Sequence, residues 1–314
     1  MRTYALRRLL LMVPVIILVT ILVASMMRLV PGDPAALALG QAATEADREK
    51  FREAYHLNDS LPVQYVRWWS DVFQGDLGKS VVHRTTVTDE LRTRLPSTIE
   101  LLLYSLFLTI IVGVPFGVLS AIRQNSPPDY LIRFLSIAGL SIPSFWLGRL
   151  LLTLPAIWWD YLPPLGKVGI TDDPLKNLEQ YLLPSITLAA GASAGIMRLT
   201  RSSVLEIMRN DYIRTARAKG LNERTVIWRH VLKNAFIPVV TVLGLQAAAL
   251  IGGAVIIETI FNLQGVGLLF ISSIFNRDYP VIQGLVLFLS VIFLTINLLV
   301  DLSYGLLDPR IRYS

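Results

Sequence analysis

Six apolar runs dominate this sequence: 9–29, 99–122, 131–158, 182–200, 236–260 and 281–304. Each is long enough to cross a hydrocarbon layer of about 30 Å as a helix, which needs roughly 20 residues. Inside lipid a backbone must satisfy its own hydrogen bonds, and a helix does so within one segment. The chain of 314 residues is 53% hydrophobic and only 17% charged, a balance foreign to soluble domains of this size. The sequence therefore predicts an all-α, polytopic membrane protein with six transmembrane helices, forming a single domain over 1–314.

Charge sets the orientation. Arg2, Arg7 and Arg8, the hairpin from Arg123 to Arg133, the segment from Arg198 to Lys233 and the C-terminal Asp308-Pro-Arg310-Ile-Arg312 all fall on one side of a six-span path. Lys and Arg near span ends mark the cytoplasmic face, so both termini are expected there. The first run follows two arginines and contains Val23-Ala24-Ser25, which raises a cleaved signal peptide. The run is too long for a signal core and continues through Met26-Met27, which favours a retained span. The net charge of +6 sits beside spans and lacks a nucleic-acid module, so it reads as orientation and no nucleic-acid partner is expected.

Residues 31–97 form a long segment of mixed charge on the opposite, extracytoplasmic side. Within it Leu61 to Phe73, with Tyr65, Trp68 and Trp69, reads either as an amphipathic helix at the membrane interface or as a piece packed on the outer ends of the spans.

The cytoplasmic segment 198–236 has a defined local grammar. Asn210 or Asp211 can cap a helix start, and Gly220 suits the left-handed residue that ends one. Asn222 can cap a second helix running from Glu223 toward Phe236, with Pro238 near the mouth of the next span. The expected shape is helix, glycine turn, helix. Small residues such as Ala216 would let a partner approach closely.

Two motifs are decoys. Gly75-Asp-Leu-Gly78-Lys79-Ser80 ends like a phosphate-binding loop, but position 73, where the first glycine belongs, is Phe. The chain is not expected to hydrolyse ATP. Gly191-Ala-Ser193-Ala-Gly195 fits a nucleophile elbow and suggests an intramembrane serine hydrolase. No span holds a histidine or lysine to act as base, and small residues at this spacing serve close helix packing. Zero cysteines and three scattered histidines supply no metal site.

Polar side chains inside spans are costly and mark functional candidates. Arg149, Gln246, Glu258, Gln283, Asn297 and Asp301 qualify, with Arg149 also able to snorkel or to pair with a carboxylate.

Several motifs, taken in order, carry a resemblance. They are Pro31-Gly-Asp-Pro34, Gly75-Asp-Leu-Gly78-x-Ser80, Ser141-Ile-Pro143-x-Phe145-Trp146, Leu183-Pro184-Ser185, Asp211-Tyr-x-Arg-Thr-Ala-Arg-Ala-Lys-Gly220, Arg229-His230 with Asn234-Ala235-x-Ile-Pro238, Asn276-Arg-Asp-Tyr-Pro-Val-Ile-Gln283 and Asp308-Pro-Arg310. Together they resemble the first permease of dipeptide, oligopeptide and nickel ABC importers, with Asp211 to Gly220 matching the EAA loop. Arg214 stands where the general loop has Glu, Lys233 where it has Pro, and Gln264 where the branch usually has Pro.

The resemblance implies a type I importer permease in the inner membrane. It would pair with a second homologous permease as a heterodimer, with two cytoplasmic ATPase subunits that bind ATP and Mg, and with an extracytoplasmic solute-binding protein; the chain itself would hold no cofactor. Asp211, Arg214, Thr215, Ala216, Arg217, Lys219, Gly220 and Leu221 would form the ATPase-coupling interface. Di- and oligopeptides are the implied cargo, with nickel or another small solute such as glutathione as the alternative. A secondary transporter working without partners is a rival outside the class.

Overall fold

The structure, a computed structural model, describes residues 2–29, 33–40 and 43–307. Apart from one isolated bridge between Lys79 and Thr86, the regular structure of these residues is helical. Five helices are long and apolar enough to cross a membrane, and a sixth span results if one sharply bent pair is counted as a single crossing. The chain divides into two compact units, Ile99–Leu263 with Ile296 onward, and Arg2–Thr98 with Gln264–Thr295.

In the second of these, α1 (Arg2–Leu29) is followed by three short helices, α2 (Pro34–Leu39), α3 (Glu45–Ala54) and α4 (Leu61–Phe73). Asp33 caps α2 by accepting from the Ala35 amide, with Pro34 at the first helical position. That explains half of the Pro-Gly-Asp-Pro motif; Pro31 and Gly32 lie outside the described residues, as does Asp308-Pro-Arg310. Arg52 binds Asp33, Glu45 and Glu49 at 2.6, 2.9 and 2.8 Å. Its guanidinium holds the Asp33 and Glu49 carboxyls below their ordinary values. On α4, Tyr65 and Trp68 turn toward α1, the Tyr65 and Thr20 hydroxyls meeting at 2.8 Å, while Val63, Val66 and Phe73 stay exposed. The segment thus packs on α1 by one face and leaves its other, apolar face exposed.

The same unit explains the phosphate-loop decoy. Asp278, between α12 (Val266–Asn276) and α13 (Tyr279–Leu307), is buried. It accepts from the Ser80 hydroxyl at 2.5 Å and from the Val81 amide at 3.1 Å. Gly78 takes φ +100° beside Pro280, where a Cβ would come within 3.1 Å of the proline Cβ. Gly75 to Ser80 is a corner clasped by a carboxylate, a demand that a left-handed glycine and a small donor satisfy.

The other unit is built on α8 (Pro174–Met208), which packs against α6 (Pro127–Ser141), α7 (Ser144–Trp159) and α11 (Leu232–Phe261). The α6–α7 pair falls on the span expected at 131–158 and bends it sharply: the two helices meet at 101°. Pro143 offers no amide to continue the helix, and Ile142 before it is pushed to the extended conformation at ψ 121°.

Contacts at α8 are close. A Cβ on Gly139 of α6 would sit 3.0 Å from the Ala194 Cβ; one on Gly117 of α5 (Val87–Ile122) would clash with Thr200 at 2.6 Å. Gly191 to Gly195 lies mid-helix in this packed face with Ser193 buried, so the strand-to-helix turn of a nucleophile elbow is absent there.

Candidate functional site: a docked helix at the basic end

From Arg198 to Lys233 the sequence carries nine cationic and three acidic side chains. Its centre is α9 (Asp211–Ala218), with Asn210 extended at its N-cap. The helix has two faces. Ile213 is fully buried and Ala216 is 8% exposed. They join a cluster with Ala121 of α5, Val204 of α8, and Val226, Ile227, Val231, Leu232 and Ala235 of the returning chain. Asp211, Tyr212, Arg214, Thr215, Arg217 and Ala218 face out.

The turn is built as its residues suggest. Lys219 and Gly220 return their amides to Thr215 and Arg217 at 3.0 and 2.9 Å, and Gly220 adopts φ +76° with nothing within 4 Å of where a Cβ would stand. Asn222 accepts from the Arg224 amide at 3.0 Å and starts α10 (Glu223–Thr225). A π-helical turn, Val226–Val231, leads into α11. This wider turn presents Val226, Ile227 and Val231 together to the cluster beneath α9 while leaving Trp228 exposed.

Charges on the outer face are partly committed within the chain. Arg217 grips Glu223 in a fork at 2.6 and 3.0 Å, and Arg214 reaches Asp211 at 3.4 Å. Thr215 spends its hydroxyl on the Asp211 carbonyl. Ala216 faces the protein interior, so the close approach it permits is to the chain's own core. Lys219, Gly220 and Leu221 are exposed at the end of the helix. Sequence reasoning passed over Tyr212, whose hydroxyl accepts from Asn234 at 3.1 Å, and Trp228. An aromatic residue among charged neighbours was the available signal for Tyr212, whereas Trp228, following Val226 and Ile227, carried none.

A clasp behind α9 was also missed. Asp129, with no exposed surface, accepts from the Ser120 hydroxyl, the Asn125 amide and the Nε and Nη2 of Arg201 at 2.5, 3.0, 2.9 and 3.0 Å. It ties the α5–α6 hairpin to α8 through Ser120 and Arg201, which stand one residue from Ala121 and three from Val204 of the cluster that seats α9.

The candidate pathway residues do not converge. Gln246 lines a cleft of about 230 Å³ at the α6–α7 break, with Gly139, Ser144 and Thr187. Glu258 is fully buried in the core, Asn297 is half-buried on α13, and Arg149 is exposed on α7 with no ion pair among the described residues. Gln283 belongs to the other unit, where it lines a cavity of about 240 Å³ with Lys79, Arg277 and Tyr279.

Residues 113–313 match the family described as binding-protein-dependent transport system inner membrane component, and residues 1–102 match the N-terminal part of such membrane components. The chain belongs to that family. Over its whole length this inner-membrane permease is 42% identical to the oligopeptide transport system permease protein AppB of Bacillus subtilis, all of which is covered. It is 41% identical to the dipeptide transport system permease protein DppB of Alkalihalophilus pseudofirmus and 42% identical to the glutathione transport system permease protein GsiC of Pectobacterium atrosepticum, each over both full lengths. Among solved structures, inward-facing MetNI methionine ABC transporter covers 69% of the permease and 96% of its own chain, with a TM-score of 0.55 at 17% identity. An amino acid ABC transporter reaches 0.51 at 16%, covering 67% and 94%. The permease therefore shares the helical ABC importer fold and is a multi-pass component of the inner membrane.

Proposed function

We propose that this permease forms, with a second homologous permease, the translocation path for di- and oligopeptides, and that α9 is the coupling helix through which two separate ATPase subunits drive it. One observation carries the coupling role. Ile213 and Ala216 seat α9 on a core shared by α5, α8 and α11, whereas its other face stays free. A partner that displaces such a helix moves three spans with it as one body, the kind of rigid shift on which alternating access runs. Excess positive charge fits an acidic groove on a cytoplasmic ATPase, and the positive-inside bias puts both termini and α9 on that side.

In this reading ATP and Mg belong to the partner subunits, the chain is not itself catalytic, and an extracytoplasmic binding protein presents the cargo opposite α9, toward the segment 31–97. Domain-level roles follow suit: 31–97 is the extracytoplasmic insertion and 198–236 the coupling loop. Peptide cargo is supported by full-length similarity to relatives named as oligopeptide and dipeptide permeases. The similarity to a relative named as a glutathione permease favours a second reading, a small-peptide-like thiol cargo.

The assembled complex, with its binding protein loaded in turn with dipeptide, oligopeptide, glutathione or nickel, tests both. Peptide-stimulated ATP hydrolysis with vesicle uptake is expected. Stimulation by glutathione or nickel alone would replace the peptide assignment, and uptake persisting without the ATPases would sink the coupling role.

A further inference from the structure

Beside the Asp129 clasp, at the same end of the unit as α9, a cleft of about 580 Å³ opens between α6 and α8. Three arginines border it, Arg133, Arg198 and Arg201, and its apolar wall is Ile137, Leu140 and Leu199. Their charges are not equally available. The Nε–Nη2 edge of Arg201 is taken by Asp129 at 2.9 and 3.0 Å. Arg133 stands 3.8 Å from the same carboxylate, too far for a hydrogen bond, and its buried Nε has no hydrogen-bond partner. The guanidinium lies instead over the Tyr130 ring at 4.7 Å. Arg198 is exposed with no ion pair among the described residues. With Asp129 neutralised by Arg201, about two positive charges remain unanswered at the mouth of one cleft.

Buried donors without partners are costly, and two guanidinium forks suit the oxygens of a phosphate better than a single carboxylate. The wall decides what kind of phosphate. Ile137 and Leu140 are 60% and 45% exposed, an arrangement that soluble anions do not need and that acyl chains below a headgroup do. Basic pockets between helices at the cytoplasmic membrane face are where anionic headgroups concentrate. We propose that this cleft binds an anionic phospholipid of the cytoplasmic leaflet, its phosphate between Arg133 and Arg198 and a chain along Ile137, Leu140 and Leu199. The inference rests on the orientation proposed above. A lipid seated there bridges α6 and α8, so the leaflet's composition sets how firmly those helices move together.

Native mass spectrometry of the assembled complex, incubated with phosphatidylglycerol or phosphatidylcholine, tests it. Wild-type complex should retain phosphatidylglycerol several-fold over phosphatidylcholine, and Arg133→Gln with Arg198→Gln should bring that ratio to about one. Arg133→Lys with Arg198→Lys should keep part of the preference. Equal retention of the two lipids by wild type, or an unchanged ratio in the double Gln variant, would overturn the proposal. Displacement of the lipid by millimolar inorganic phosphate would reassign the cleft to a soluble anion. Should the double variant fail to assemble, Arg198→Gln alone, at an exposed side chain, carries the same comparison. A complex that takes up peptide but shows no lipid preference sinks this inference alone. One that holds the lipid but never answers to binding protein sinks the transport reading instead.

Discussion

The α9 loop and the Asp129 clasp are both polar pieces of the same unit, and they hold charge in opposite ways. On α9 the charges lie outside, paired loosely or in one exposed fork, while Ile213 and Ala216 hold the helix by apolar contact. At Asp129 the charge lies inside, held by hydrogen bonds from Ser120, Asn125 and Arg201, with Arg133 3.8 Å away as a further cation. Exposed pairs contribute little to stability, so α9 can lose or trade its charges to suit a partner while remaining docked. A buried carboxylate cannot give up its donors so easily, because Asp129 itself has no exposed surface and so no water to replace them. One region is free to vary chemically; the other fixes the surface on which that variation acts.

The sharpest way to break this contrast is Asp129→Ala, which strands Arg201 and the Ser120 hydroxyl. A loss of about 3–5 kcal/mol is expected, read as early loss of the monodisperse complex on heating in detergent. Near wild-type stability would mean the clasp is not structural. Next, Ala216→Leu should overpack the α9 seat by about 1–3 kcal/mol and uncouple ATP hydrolysis from binding protein, whereas Arg214→Ala should leave thermal stability unchanged. Equal effects from the two would erase the inner and outer faces of α9.

Gly220→Val is smaller in stability but specific in function. With open space around the missing Cβ, the only penalty is the left-handed backbone, about 1–2 kcal/mol per residue. ATPase stimulation should fall while the complex still assembles. Normal stimulation would remove the turn from the coupling path.

The weakest expected effect belongs to the exposed Arg52 cluster in the other unit. Asp33 and Glu49 are held below their ordinary values of 3.8 and 4.5. Carboxyls with depressed values stabilise the folded segment above those ordinary values, and the contribution fades as pH falls through the lowered ones. Limited proteolysis of 33–59 should accelerate below about pH 4, and Arg52→Ala should abolish that acid sensitivity. Proteolysis with the same pH profile in both would discard the pairing.

Much of α9 was legible because its signals are local: Gly220 and Asn222 act on backbone within a few positions, and Asn210 stands at the N-cap, although its side chain makes no capping hydrogen bond. Its burial was less so, since whether Ala216 faces core or partner depends on where α8 and the π turn run. The broken span shows a middle case. Pro143 is visible in the sequence, yet within an apolar run it permits either a kinked crossing or a full turn, and packing against α8 goes with the 101° outcome. Ser80 with Asp278, 198 residues apart, and Asp129 with Arg201, 72 apart, leave no trace in any window that periodicity can read.

The sequence by itself determined the helices, the number of apolar runs, the basic side and the turn at Gly220, because hydrophobic transfer, charge placement and left-handed backbone are properties of short stretches. Only the tertiary structure decided which face of α9 is anchored, where the third run breaks and which carboxylates are clasped. Those depend on desolvated contacts between residues far apart in the chain, and such contacts exist only once the helices have packed.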